Sequence, residues 1–108
     1  ETLANPMYIS SEEFPPEVDE FAAAGVTPAD SRVVRAPRVK ESPVNMECKL
    51  DRIIEIGINH LVLGRLVGYH IREEFYLGDY KVDTRKMRPI GRMAGNYSYL
   101  RDIFELPM

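Results

Sequence analysis

The sequence predicts a mainly β domain with short helices, and three observations carry that prediction. Apolar and polar residues alternate from Val44 to Ile56, which is the period of a half-buried strand. A second apolar run, from Leu61 to Ile71, follows a short turn, so the two runs predict a long antiparallel hairpin. Prolines interrupt residues 26–43, which favours an extended connection there rather than a helix.

Length and composition exclude several classes of protein. One hundred and eight residues are enough for one domain, so residues 1–108 are interpreted as a single domain and a two-domain enzyme is excluded. Fourteen Lys and Arg stand against 17 Asp and Glu, and the net charge of −3 argues against a nucleic-acid partner. No apolar run approaches the roughly 20 residues of a membrane-spanning helix, so no membrane partner is expected.

Two further features concern the setting of the chain. A single cysteine cannot form an internal disulfide, and no signal peptide is evident, so a reducing cytoplasmic location is expected. The chain begins at Glu1 rather than at Met, which suggests a piece of a longer protein.

One short helix is predicted near the start of the chain. Pro16 suits a first helical position, acidic residues follow it, and Gly25 is a typical C-terminal cap, so the helix is expected over residues 16–24. The first eleven residues show weak periodicity, and Pro6 is expected to interrupt any helix there. A short edge strand is expected at 33–34.

The alternation also predicts which face of the first long strand is buried. Its even-numbered positions carry the apolar side chains and are expected to face a core, whereas Glu47 and its odd-numbered neighbours face solvent. Cys48 belongs to the apolar set and is interpreted as a buried filler rather than a nucleophile. The second strand is apolar on both faces, which is typical of a central strand or of one between a core and a partner chain.

The last third of the chain predicts smaller elements. Residues 75–77 and 80–82 favour a second hairpin, and Asp83 is expected to cap a short turn over 84–87. Residues 88–108 are punctuated by glycine and proline and rich in hydrogen-bond donors, which is typical of a loop folded around a ligand.

Few motifs point to a particular chemistry, and no catalytic residue or metal ligand is assigned. His60 and His70 lie about 33 Å apart on one strand, too far to share a metal. For His60 alone, a solvent-facing turn position is the simpler interpretation. Arg92, Gly95 and Tyr97 place a cation, bare backbone and an aromatic ring within six residues, which can grip an anionic planar ligand. A loop anchored on its own sheet is the alternative for these three residues.

Several stretches occur in one order and register from about residue 11 to the end. They are Phe14-Pro-Pro-Glu-Val-Asp-Glu-Phe21, Gly25-Val-Thr-Pro28, Pro37-Arg-Val-Lys-Glu-Ser-Pro43, Met46-Glu-Cys48, Asn59-His-Leu-Val-Leu-Gly64, Val82-Asp83, Arg88-Pro-Ile-Gly-Arg-Met-Ala-Gly95 followed by Tyr97, and Asp102-Ile-Phe-Glu-Leu-Pro107. Together they resemble the flavin reductase-like family, which has the FMN-binding split-barrel fold. Several motifs in register are more specific than any one of them.

The resemblance implies a Greek-key split β-barrel that forms a homodimer, with FMN at or near the subunit interface. It implies an NAD(P)H:flavin oxidoreductase whose partner is a monooxygenase or another electron acceptor. A non-enzymatic FMN-binding electron-transfer protein, similar to flavoredoxin, is the alternative. Family members are nearly twice as long, and the chain resembles only their C-terminal part. A structural half-domain that is inactive on its own is therefore a third interpretation.

The resemblance also implies a set of cofactor-binding residues. They are Ser10, Ser11, Phe14, His60, Arg92, Gly95 and Tyr97. The first three correspond to a loop beside the flavin, the histidine to one near the flavin or the nicotinamide, and the last three to an Arg-x-Gly-Gly-x-x-Tyr tail. The chain departs from that tail at Ala94, whose methyl group could block a close approach of the backbone. Arg65 stands where many members carry an acid.

Overall fold

The fold consists of short elements arranged around one long hairpin. The computed structural model describes residues 1–107. The elements are α1 (Ala4–Ser10), α2 (Glu20–Ala24), β1 (Pro28–Ala29), β2 (Arg38–Val39), β3 (Val44–Ile56), β4 (Asn59–Ile71), a 3₁₀ turn (Glu73–Phe75), β5 (Tyr76–Gly78), β6 (Lys81–Val82), α3 (Thr84–Met87), β7 (Ile90–Arg92) and β8 (Tyr97–Tyr99). The strands form four separate antiparallel pairs. The predicted class, mainly β with short helices, is confirmed.

The predicted long hairpin is formed by β3 and β4, with 13 residues in each strand. Val44 pairs with Ile71 at the base, and Ile56 pairs with Asn59 at the tip. Gly57 closes the turn with a φ of 61°, a left-handed conformation that glycine adopts without strain. β4 begins two residues earlier than predicted, because polar residues at its start still join the ladder.

The predicted burial of β3 is wrong. Met46 and Leu50 are each 65% exposed and Cys48 is exposed, whereas Glu47 is only 2% exposed. The ladder shifts register between Glu47 and Cys48 and again between Leu50 and Arg52, so strict alternation does not hold along the whole strand. Its apolar side chains stay largely exposed. Among residues 1–107, Ala24, which is 7% exposed, is the only buried apolar residue. The hydrophobic core is therefore open on one side.

The helices differ from the prediction at both ends of the first 25 residues. Pro6 does not prevent α1, because it lies in the first helical turn, where a missing N–H leaves no bond unmade. α2 begins at Glu20 rather than at residue 16, because the side chain of Asp19 accepts the N–H of Phe21 and caps the helix there. Gly25 ends it in the left-handed conformation, as predicted. No helix within residues 1–107 has the length and apolar character required to cross a membrane.

The expected edge strand at 33–34 is absent. The short strands β1 and β2 instead pair on either side of residues 31–36, with Pro28 opposite Val39. The backbone N–H groups of residues 32–34 all point to the carboxylate of Glu47, so they have no ladder to join.

The C-terminal third contains more regular structure than the sequence predicts. The small hairpin of β5 and β6 is present, and the Asp83 side chain accepts the N–H of Lys86 at the start of α3, as expected for its cap. The expected loop after residue 88 contains a hairpin: β7 pairs with β8, and Met93 N–H donates to Asn96 O across the turn at 2.8 Å. Short strands flanking a four-residue turn have too few residues for their period to show in the sequence.

Candidate functional site

The tail hairpin brings together two of the residues that the sequence singled out. Arg92 and Tyr97 are directly opposite each other across β7 and β8. The guanidinium carbon of Arg92 lies 4.8 Å from the centre of the Tyr97 ring, a cation–π contact, and Arg92 Nη1 donates to Asn96 O at 3.3 Å. Both side chains are exposed. The pair therefore presents a fixed positive charge and an aromatic ring on one surface.

Gly95 lies in the turn of the same hairpin, next to this pair. A Cβ built at Gly95 would meet nothing within 4 Å, and its φ does not lie in the left-handed region. Neither packing nor backbone conformation within the chain requires glycine here. Open space at this position leaves the backbone accessible to an external ligand. Ala94 beside it is also exposed, so its methyl group projects from the same turn.

A contact between two tyrosines joins the tail hairpin to α1. The rings of Tyr8 and Tyr97 are 6.4 Å apart and nearly perpendicular, the edge-to-face arrangement that aromatic pairs prefer. Ser10 and Ser11 follow Tyr8 by one helical turn or less. The structure therefore places the end of α1 beside Tyr97, although nearly the whole chain separates them in sequence.

The two serines and the phenylalanine of the predicted set lie at or just after the end of α1. Ser10 Oγ donates to Met7 O at 2.8 Å and Ser11 Oγ donates to Tyr8 O at 2.6 Å, so each hydroxyl is bonded to its own helix. Their oxygens remain available as acceptors. Phe14 is half-buried in the segment between α1 and α2.

His60 lies apart from the other predicted residues within one copy of the chain. It is opposite Glu55 near the hairpin tip, its Nε2 is 4.0 Å from Glu55 Oε1, and its side chain is exposed. Eleven residues separate it from the end of β4 at the base of the hairpin, about 36 Å along an extended strand. Val44 at the base of the hairpin shares a groove with Ile90 at the start of β7, whereas His60 lies at the other end of the strand.

An apolar groove runs beside this site, with a volume of about 640 Å³. Its walls come from α1, α2, the base of the hairpin and the connection from α3 to β7. We call it the α1–α2 groove. Ser10 lies at its rim, next to the tail hairpin. Its volume falls within the range of small-molecule sites in proteins. In such sites a few polar groups determine which ligand binds.

A buried carboxylate, which the sequence did not single out, lies on the other side of β3. Glu47 accepts the backbone N–H groups of Arg32, Val33 and Val34 at 2.7–3.1 Å, and it bonds to His70 Nε2 on the neighbouring strand. These donors, first the N–H of Arg32 and then His70, lower the pKa of Glu47 from 4.5 to about 2. We call this arrangement the Glu47 anchor.

The Glu47 anchor is structural, because its carboxylate is enclosed and all its bonds are to the chain itself. Gly68 makes room for it: a Cβ there would lie 3.2 Å from Glu47 Cδ. That glycine within an apolar strand was the one sequence signal of a close approach. The acid itself carried no signal, because an acid alternating with apolar residues normally faces solvent.

The fold defines a chain of flavin reductase type, and comparisons with known proteins agree. The family model described as "Flavin reductase like domain" matches residues 4–90. An uncharacterized protein of Aquifex aeolicus is 40% identical over 97 residues, which cover 90% of this chain and 50% of that protein. An uncharacterized protein of Deinococcus radiodurans is 37% identical over 96% of this chain and 48% of its own length. The chain belongs to the flavin reductase-like family and spans about half the length of these relatives.

Solved structures show the same fold. Nitrilotriacetate monooxygenase component B from Bacillus cereus superposes with a TM-score of 0.84 at 34% identity, over 94% of this chain and 53% of that one. Pseudomonas fluorescens 2-nitrobenzoate 2-nitroreductase NbaA gives 0.86 at 29%, over 100% and 55%. Flavoredoxin of Desulfovibrio vulgaris gives 0.82 at 22%, over 97% and 57%, which shows the fold alone. The predicted split-barrel fold is confirmed.

Proposed function

We propose that the protein carrying this domain is an FMN-dependent oxidoreductase that moves a hydride from NAD(P)H to flavin. One observation supports this most directly: Arg92, Tyr97 and the end of α1 converge on one surface although they are distant in sequence. Two similar proteins of known structure, a monooxygenase component and a nitroreductase, belong to the same broad chemistry. A monooxygenase or another electron acceptor is the partner that we propose.

The tail pair suits the recognition of an anionic, planar cofactor. Bound FMN supplies the redox chemistry, since its N5 accepts the hydride that leaves the nicotinamide, so NAD(P)H is oxidised as the flavin is reduced. Arg92 would neutralise negative charge on FMN or on the nicotinamide nucleotide. Tyr97 would pack against the ring system with the ring face that Arg92 leaves free, and Gly95 would let the ligand approach the backbone.

The segment after Tyr8 would supply the edge of the same site. Ser10 and Ser11 would hydrogen-bond the flavin edge as acceptors in their present rotamers, and as donors after rotation away from the helix. Phe14 would add apolar contact to the ring system. None of these groups needs to act as an acid or a base in a hydride transfer.

His60 requires a second copy of the chain to take part. We propose a homodimer in which the hairpin of one subunit brings His60 to the nicotinamide side of its partner's flavin. The hairpin between residues 50 and 66 supports this, because its apolar side chains are exposed on both strands: Leu50 at 65%, Ile53 at 52%, Val62 at 60% and Leu66 at 53%. Exposed apolar surface of this extent marks an interface more often than a free surface.

A tail substitution tests the cofactor assignment with a matched control. Tyr97→Ala in the full-length protein should weaken FMN binding at least about tenfold, because it removes the aromatic surface and frees Arg92. Tyr99 offers the control, since Arg101 lies 4.8 Å over its ring in the same geometry, two residues along the strand. Tyr99→Ala should leave FMN affinity unchanged. Equal affinities of both variants and the parent protein, measured by flavin fluorescence, would refute the tail assignment.

A non-enzymatic electron carrier is the second candidate, and the position of His60 favours it. His60, the predicted nicotinamide contact, lies beside Glu55 near the tip of the hairpin. Anaerobic addition of NADH and of NADPH to the FMN-loaded protein separates the candidates. Bleaching of the flavin absorbance at catalytic rates supports the oxidoreductase. A protein that keeps its flavin but does not bleach is a carrier, and one that stays colourless after FMN addition supports neither.

The 108 residues taken alone are the third case. Much of the surface that would surround the cofactor is open here, so we expect this chain by itself to bind FMN weakly or not at all. Titration of the 108-residue chain against a protein that spans the whole family domain measures this difference. Equal FMN affinities would show that the chain is sufficient.

A further inference from the structure

A second pocket lies where the C-terminal segment contacts α3. Arg85 Nη2 donates to Ile103 O at 2.8 Å and holds the two parts of the chain together. The pocket has a volume of about 410 Å³, and its polar wall consists of Arg85, Arg88, Arg101 and Asp102. We call it the arginine pocket. Three of the 14 Lys and Arg side chains meet here, in a chain whose net charge is −3.

An acidic side chain at the edge of the arginine pocket shows how an anion binds there. The carboxylate of Glu1 accepts hydrogen bonds from Arg101 Nη1 at 3.1 Å and from Arg101 Nη2 at 2.9 Å. Arginine holds phosphate through the same pair of parallel bonds. Arg88 Nε lies 3.8 Å from the same carboxylate. Asp102 is the other acid, so three guanidinium groups stand against two carboxylates and the pocket stays positive.

The backbone of Arg88 indicates that its side chain has a purpose beyond the fold. Arg88 ends α3 in the left-handed conformation, with a φ of 53°. Gly25 ends α2 in that conformation, which favours glycine because a Cβ is disfavoured there. Within residues 1–107, the Arg88 guanidinium makes no hydrogen bond, and its one ion pair is the 3.8 Å contact with Glu1. A guanidinium at a disfavoured backbone position, with so weak a partner, points to an external anion.

Apolar groups beside the arginines narrow the class of anion. Ile103 is half-buried, Leu100 is 40% exposed and Phe104 is 74% exposed, and all three line the pocket. A guanidinium also stacks on planar rings, as Arg101 does over Tyr99 at 4.8 Å. These walls suit a phosphate that lies next to a planar base. A sugar phosphate would leave the apolar groups without a partner.

The arginine pocket adjoins the tail site along the chain. Four residues separate Tyr97 from Arg101, which is at most about 13 Å of extended chain. A ligand with a redox-active ring at one end and a phosphate at the other can therefore reach both sites.

We propose that the arginine pocket binds the adenosine 2′-phosphate end of NADPH, and that the protein therefore uses NADPH in preference to NADH. The inference rests on the proposed function, in which the nicotinamide of the same molecule meets the flavin at the tail site. The 2′-phosphate takes the position of the Glu1 carboxylate between Arg88 and Arg101, and adenine packs on the apolar wall. NADH lacks this phosphate, and the phosphate of FMN follows a polar ribityl chain instead of a planar base.

A fragment of the nucleotide tests the pocket without any redox reaction. Adenosine 2′,5′-bisphosphate carries the 2′-phosphate, and adenosine 5′-monophosphate is the matched ligand without it. In calorimetric titration, the full-length protein should bind the bisphosphate at least about tenfold more tightly than the monophosphate. Equal affinities overturn the proposal. Neither ligand contains nicotinamide, so this result is independent of the proposed function.

Arg88→Gly tests the guanidinium while sparing the backbone. Glycine relieves the left-handed conformation, so Tm should not fall. Affinity for the bisphosphate should fall at least about tenfold, and affinity for the monophosphate should change less than about twofold. Arg72→Ala is the control, because Arg72 has the same 3.8 Å contact with an acid, Glu74, and lies outside the pocket. Unchanged affinity in Arg88→Gly, or equal loss in both variants, refutes the site.

Glu1→Gln gives a test that a loss of structure cannot imitate. It removes the carboxylate that competes for Arg101 and Arg88, so affinity for the bisphosphate should rise at least about threefold. Affinity for the monophosphate should stay the same. Absence of a gain for the bisphosphate contradicts the proposed position of the 2′-phosphate.

Kinetics distinguish the two sources of a phosphate. In Arg88→Gly, the KM for NADPH should rise at least about tenfold, whereas the KM for NADH and the affinity for FMN should change less than about twofold. A loss of affinity for FMN but not for riboflavin would show that the pocket holds the flavin phosphate, which overturns the proposal. If the bisphosphate binds through Arg88 but neither nucleotide is oxidised, the proposed function fails and the phosphate site stands.

Discussion

The two ends of the long hairpin differ in the surroundings of their side chains: a charged group is enclosed at the base, and apolar groups are exposed toward the tip. At the base, the Glu47 anchor encloses a carboxylate and gives it donors from a loop and from the neighbouring strand. Toward the tip, residues 50–66 expose apolar side chains, and Ile58 in the turn is 95% exposed. Hydrogen bonds saturate locally with a few partners, whereas apolar burial needs a large opposing surface. The carboxylate of Glu47 therefore finds its partners within this chain, whereas the apolar side chains of residues 50–66 do not.

Removing the anchor should have the largest effect. Glu47→Ala leaves the N–H groups of residues 32–34 and His70 without their acceptor, so the loop should detach from β3. Amide hydrogen exchange at Arg32–Val34 should accelerate at least about tenfold. Glu55→Ala, on the exposed end of the same strand, should leave those rates unchanged. Unaltered loop exchange in the first variant would show that the loop holds without the carboxylate.

Acid should reproduce part of this effect without a mutation. The pKa of Glu47 is lowered from 4.5 in the unfolded chain to about 2, chiefly by the N–H of Arg32 and by His70. The anchor's stabilisation is therefore fully present above about pH 4.5 and is lost as the pH falls through about 2. Amide chemical shifts of Arg32–Val34 should titrate with a midpoint near 2. A midpoint near 4.5 would contradict the anchor.

A charged residue introduced into the exposed apolar part of the hairpin tests whether this surface forms the proposed dimer interface. Val62→Asp should raise the concentration at which the full-length protein dissociates to monomers at least about tenfold, because it places a carboxylate in the proposed interface. Leu77→Asp is the matched control, since Val62 is 60% and Leu77 is 64% exposed and Leu77 lies outside the long hairpin. Analytical ultracentrifugation measures both. If the two variants dissociate alike, the interface lies elsewhere.

Substitutions at two glycines should have the smallest effects. They should lower Tm at the Glu47 anchor but not at the tail site. Gly68→Ala places a methyl group 3.2 Å from Glu47 Cβ and Cδ. The enclosed Glu47 side chain must then give way by a few tenths of an ångström, and Tm should fall by about 4 °C. Gly95→Ala meets nothing within 4 Å and should change Tm by less than about 1 °C. Equal decreases of Tm in the two variants, measured by calorimetry, would contradict the close packing of Gly68 against Glu47.

The sequence predicted the hairpin, both small caps and the chemistry of the tail because each depends on neighbours in the chain. Alternation of apolar and polar residues indicates a strand directly. Asp83 and Gly25 cap helices through residues that lie within one turn of them. The Arg92–Tyr97 pair was foreseen as residues with suitable chemistry, and the hairpin that places them opposite each other was not. Binding of flavin by these residues stays a prediction.

Contacts between distant segments could not be foreseen in the same way. The contact between Tyr8 and Tyr97 spans nearly the whole chain, and the carboxylate of Glu47 meets a loop 15 residues earlier and a histidine 23 residues later. The alternating pattern predicts that Glu47 faces solvent, because the pattern depends only on the polarity of each residue. It contains no information on the hydrogen-bond donors that the fold brings to the carboxylate. Three N–H groups and an imidazole reverse that assignment.

By itself, the sequence determined the long hairpin, the small hairpin of β5 and β6 and the family, because these follow from local patterns and from motifs in register. Only the tertiary structure decided which face of β3 is enclosed, which residues share a surface with Arg92, and that His60 stands apart from them. The physical reason is that burial depends on what opposes a face. A strand carries its own pattern of side chains but not the surface that will cover it.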